Sequence, residues 1–163
     1  NAQLQFFEMP APESGRAPKI KTGEEVRATS HVQPVILPSG IPGLLGFIEG
    51  RTVVPAEAVS RLKKLAVERI KNHEGANARN ELVNVVRTLI LFEATRGGKS
   101  IRLKDDYLMS LVPSRLRAFF GEALQDLLGK GIMEYYHKGP GKNYVRVTEA
   151  NEILFQKFHG RAR

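Results

Sequence analysis

The sequence predicts an α+β protein whose regular structure is concentrated in its second half. Three observations carry that prediction. Apolar residues recur at helical spacing over 55–73, 79–95 and 115–130. Shorter segments bounded by Gly or Pro, at 100–103, 132–137 and 143–148, read as strands. Six of the nine prolines fall within the first fifty residues, which keeps long helices out of that region.

The N-terminal third reads as an arm. Residues 8–18 hold Pro10, Pro12 and Pro18 and are expected to be extended. Two weak hairpin signals follow. Lys19–Thr22 and Val26–Ser30 flank Gly23-Glu24, and Leu44–Ile48 and Thr52–Val54 flank Glu49-Gly50. The apolar stretch Val35–Phe47 should be covered by protein rather than left in water. The expected organisation is therefore an extended or β-hairpin arm over 1–54, a linking amphipathic helix over 55–75 and a compact domain over 76–163. In the linking helix Pro55 suits the first turn, Gly75 the end, and Val59, Leu62, Leu65, Ala66 and Ile70 form one stripe. That stripe could pair with its twin in a homodimer.

The second half reads element by element. Leu82, Val85, Val86, Leu89 and Phe92 mark a helix over 79–95, stopped by Gly97-Gly98. Ser100–Leu103 is a short strand. Asp105 and Asp106 start a short helix to Leu111, at the end where the helix dipole favours negative charge. After Pro113, Ser114 is a candidate N-cap for a helix over 115–130. Leu116, Phe120, Leu124 and Leu127 share its apolar face, and Phe119 beside them is expected to be partly exposed. Two strands around the turn Lys138–Lys142 come next. Thr148 could cap a last helix to about Phe158, with Glu152 in capping range.

Composition narrows the function. The chain has 163 residues, 42% hydrophobic and 26% charged, as a folded domain with an appendage would have. No apolar run is long enough to span a membrane. With no cysteine there are no disulfides, thiolate metal sites, iron–sulfur clusters or cysteine nucleophiles. The first ten residues lack the basic start and apolar stretch of a secretory signal, and a cytoplasmic location is expected. The formal charge is +8, and the excess is uneven. Residues 1–75 hold ten Lys/Arg and eight Asp/Glu, whereas residues 76–163 hold fifteen and nine. A basic second half points to nucleic acid as a partner.

The order helix, short strand, helix, helix, strand, basic turn, strand resembles the winged-helix family over about residues 79–158. The residues carrying it are Gly129-Lys130-Gly131-Ile132-Met133, where a helix steps into a hairpin, and Lys138-Gly139-Pro140-Gly141-Lys142, which looks like a wing tip. The resemblance implies a helix-turn-helix whose second helix enters the major groove while the wing follows the backbone. On this sequence that helix is 115–130. Ser114 and Arg115 at its start could hold phosphate, and Arg117 or Gln125 could read a base edge. Lys138, Lys142 and Arg146 on the wing, with Lys99 in the preceding loop, would neutralise phosphates. Glu122 and Asp126 oppose this reading unless they face away from the nucleic acid.

No catalytic constellation is visible, so a binding protein rather than an enzyme is expected, with no metal or cofactor. Arg96-Gly97-Gly98-Lys99-Ser100 ends like a phosphate-binding loop, but Glu93 stands where that pattern needs glycine. The four histidines share no helical turn, and Asp105-Asp106 are adjacent and diverge. Tyr135, Tyr136 and Tyr144 cluster on the hairpin, where they could stack on bases or close the core. The expected function is duplex DNA binding in transcription or genome maintenance. Alternatives are an RNA-contacting subunit of a ribonucleoprotein or other large assembly, and a protein–protein adaptor.

Overall fold

A computed structural model describes residues 35–97, 103–137 and 143–160. Residues Leu37–Arg163 form one compact unit. The first hairpin signal, at Lys19–Ser30, lies outside the described residues. Six α-helices and a small antiparallel sheet are described: α1 (Ile41–Glu49), α2 (Ala56–Lys71), α3 (Arg79–Ala94), β1 (Leu103–Lys104), α4 (Asp105–Ser110), α5 (Phe120–Gly129), β2 (Met133–His137), β3 (Asn143–Val147) and α6 (Ile153–His159). The architecture is α+β, mainly helical.

The hairpin expected between Leu44 and Val54 is replaced by α1. Ile41, Leu44 and Ile48 are spaced for one helical face, and all three are buried. Pro42 sits in the first turn, where its missing N–H costs nothing, so a residue read as a breaker is a helix starter. Gly43 is required by a close approach: a Cβ there would lie 2.8 Å from the Pro38 Cβ. Gly46, one turn on, faces open space.

In α2 the stripe Ala58, Val59, Leu62 and Ala66 is buried against the chain's own α1 and α3. Leu65 and Ile70 of the expected stripe are only partly buried. Gly75 does not end this helix. The end is a Schellman turn, in which His73 N–H donates to the Ile70 carbonyl at 3.0 Å and Glu74 N–H to the Arg69 carbonyl at 2.9 Å. His73 takes the left-handed conformation, φ 60°, where glycine is usual.

Helix α3 is the centre of the unit. Leu82, Val83, Val85, Val86, Leu89, Ile90 and Ala94 are all buried, so it is covered on most sides. It packs on α1, α2, α4, α5, α6 and β3. One continuous core joins these residues to Leu108, Val112, Leu116, Leu127, Met133, Val145, Val147, Phe155 and Phe158. Tyr135 is 40% exposed, while Tyr136 and Tyr144 are half-buried.

The helix expected over 115–130 starts as a 3-10 helix, Ser114–Phe119, and continues as α5. Ser114 is not its cap. Pro113 holds that position, and no side chain bonds the free amides. Phe119 is buried beside Phe120 rather than partly exposed. The sheet order is β1-β3-β2, antiparallel throughout, with Leu103 opposite Val145 and Tyr136 opposite Tyr144. Thr148 does not cap α6 through its side chain. Its hydroxyl donates to the Gly131 carbonyl at 3.0 Å and ties the end of β3 to the turn before β2.

Gly43→Ala should cost about 1 kcal/mol, because the new methyl overlaps the half-buried Pro38 ring. Gly46→Ala should instead gain up to about 1 kcal/mol from helix propensity. Urea unfolding of both variants checks this. Equal effects would remove the Pro38 contact from the argument.

Candidate nucleic-acid interface

The helical run 114–129 presents three different strips to its surroundings. Leu116, Phe119, Phe120, Ala123, Leu124 and Leu127 are buried, and they set the rotation of the run. With that rotation fixed, Ala118, Gly121 and Gln125 lie on the exposed side with Arg115, three residues before Ala118 in the 3-10 turn, while Ser114 lines up with Arg117. Ala118, Gly121 and Gln125 carry no charge, and the first two are small. A Cβ at Gly121 would meet nothing within 4 Å.

One flank of this strip carries the two carboxylates, and both are answered from outside the run. Arg79, at the start of α3, donates to Glu122 at 2.6 Å. Two turns on, Arg87 donates to Asp126, which Lys130 also reaches at 3.1 Å. The hydrogen bond from Arg87, then that from Lys130, holds the Asp126 carboxyl below its usual range. Glu122 and Asp126 are thus turned toward α3 and balanced there. Arg79 also lies over the Phe119 ring, 5.7 Å from its centroid.

The other flank is Arg117, and its geometry differs from that of a base reader. Its Nε donates to the Val112 carbonyl at 2.9 Å and its Nη2 to the Ser110 carbonyl at 3.0 Å. The guanidinium braces the turn between α4 and the 3-10 helix. Arg115 is exposed, and among the described residues it has no acidic partner. Gln125 is exposed with its amide unpartnered among the described residues. Arg146 sits on β3, with its Nε 2.7 Å from a Glu134 oxygen across the strand pair and its guanidinium 5.4 Å from the centre of the Tyr136 ring. Lys99, Lys138 and Lys142 lie outside the described residues.

Arg115 and Gln125 are therefore brought together on one surface, Ser114 lies in line with Arg117, Arg117 is turned to a structural task, and Arg146 stands on the neighbouring hairpin. The sequence reading did not foresee the pairings of the α3 arginines: the carboxylates lie one turn apart and Arg79 and Arg87 two turns apart, so spacing does not match them. Among the described residues, no three His, Asp or Glu side chains gather as metal ligands. No helix of the described residues is long and apolar enough to cross a membrane. Comparison with protein-family models, with curated proteins and with solved structures finds no match for this chain.

Acid should separate wild type from Asp126→Asn. A carboxyl whose folded pKa is lowered adds stability above its unfolded pKa, and that stability is lost as pH falls through the folded value. The wild type should be the more stable protein at pH 7 and lose this lead as the pH drops below the usual carboxylate range. Thermal melts of both proteins from neutral to acid pH check it. A pH-independent gap would mean that the Arg87 and Lys130 pairings do not matter.

Proposed function

We propose that this chain is a nucleic-acid-binding protein of the winged-helix type, which lays the run 114–129 on duplex DNA. The observation that carries the reading is the uncharged strip Ala118, Gly121 and Gln125 with Arg115 at its entry, freed of repulsion because Arg79, Arg87 and Lys130 balance the adjacent carboxylates. A groove accepts a helix closely only where side chains are small, and phosphates exclude unbalanced carboxylates. The order α3, β1, α4, 114–129, β2, β3 and the sheet order β1-β3-β2 support the winged-helix assignment.

The roles follow from position. Arg115 and Ser114 contact phosphate at the entry of the run, and the Gln125 amide offers the donor and acceptor pair that matches adenine. Arg117 keeps the turn before the run in shape. Lys138 and Lys142 of the hairpin connection, Arg146 on β3 and Lys99 add phosphate contacts. The task is recognition or architecture in a regulatory or genome-maintenance setting, without catalysis.

Duplex binding measured by fluorescence anisotropy across a salt series tests the reading. Wild type should bind with a steep salt slope, and Lys138→Ala with Lys142→Ala should flatten it by about 0.9 per lost phosphate contact. Arg115→Ala should weaken binding to all sequences. Gly121→Glu should abolish binding while the fold survives, since the new side chain enters open space. No duplex binding at about 50 mM salt, or full binding by Gly121→Glu, would overturn the proposal.

A further inference from the structure

The three-stranded sheet has a second surface that the run 114–129 does not use. Met133, Val145 and Val147 point into the core, so strand alternation places Glu134, Tyr136, Tyr144 and Arg146 on the opposite face. The register then sets a row across the sheet. Lys104 on β1 is opposite Tyr144 on β3, and Tyr144 is opposite Tyr136 on β2. Strands lie about 4.8 Å apart, so two aromatic rings and one ammonium stand side by side. Arg146 borders the row, two residue pairs further along on the same face, with its guanidinium 5.4 Å from the centre of the Tyr136 ring. Glu134 receives its Nε, which leaves the Nη donors for another acceptor.

We infer that this outer sheet face binds an unpaired nucleic-acid strand, with a base stacked on the Tyr144–Tyr136 row and the flanking phosphates held by Lys104 and Arg146. It rests on the nucleic-acid reading above and shares Arg146 with it, whereas Tyr136, Tyr144 and Lys104 belong to this face alone. The chemistry selects the occupant. Bases supply flat π-faces for the rings, and the backbone supplies anions at the row's margins. A duplex hides its base faces inside its own stack. An acidic peptide would answer the cations and leave the rings without a partner.

The full chain titrated with single-stranded oligothymidine at low salt tests the inference. There are four tyrosines and no tryptophan, so tyrosine emission is directly observable, and stacking on the hairpin should quench it. Anisotropy of the labelled strand should show Tyr144→Leu weakened roughly 10- to 100-fold. Tyr144→Phe, which keeps the ring, should bind as wild type does. Lys104→Ala should weaken binding and lower the salt slope by about 0.7. Duplex binding measured on the same variants should be unchanged. Should Tyr144→Leu fail to fold by circular dichroism, Lys104→Ala and Tyr144→Phe decide the matter.

The two readings can fail separately. Duplex bound and oligothymidine ignored would overturn this inference alone, whereas oligothymidine bound and duplex ignored would support it and remove the duplex reading. Full strand affinity in Tyr144→Leu would overturn it, as would equal quenching by polyglutamate, which would make the face an acidic-peptide site.

Discussion

The packing of α3 against the run 114–129 is the constraint from which the proposed interface follows. Leu116, Phe120, Ala123, Leu124 and Leu127 share a core with the buried residues of α3, and that shared burial fixes how the run is rotated. Every statement about which side chains face outward depends on it. Burying large side chains such as these is worth about 1.5–3 kcal/mol each, far more than the surface ion pairs beside them. Core packing therefore sets the geometry, and the arginines of α3 tune the charge on a surface already positioned.

That division explains why a basic protein can carry carboxylates beside its proposed interface. Glu122 and Asp126 are not solvated negative charges facing a phosphate backbone; each has a guanidinium from α3, and Asp126 also has Lys130. Arg117 shows the converse. It looks like a nucleic-acid contact by type and position, yet two backbone carbonyls of the preceding turn hold it. Charge type alone does not say which neighbours such a side chain reaches.

The second half of the chain was legible because each element ends at a strong local signal. Gly97, Pro113, Gly131 and the hairpin connection separate stretches whose periodicity is clear, and α3, α4, β2, β3 and α6 lie close to the expected positions. The first half was harder for a physical reason. Ile41, Leu44 and Ile48 make a helical stripe, but the helix is only 9 residues long and contains Pro42, Gly43 and Gly46, so local propensity opposes it. Tertiary burial of three side chains overrides that propensity. The ending of α2 was hidden in the same way, since a histidine in the left-handed conformation takes the part a glycine was expected to play. At the site, position along the helix revealed Ser114, Arg115 and Gln125. The pairings of Arg79 and Arg87 with 122 and 126 are long-range, and helical periodicity carries no information about them.

The central claim, that the outward strip of 114–129 meets duplex DNA, is tested most directly by amide NMR of the full chain during a duplex titration. The account predicts that the largest shifts fall on Arg115, Ala118, Gly121 and Gln125, with smaller ones on β2 and β3. Shifts gathered on α1 and α2, with Gly121 unmoved at saturation, would contradict it.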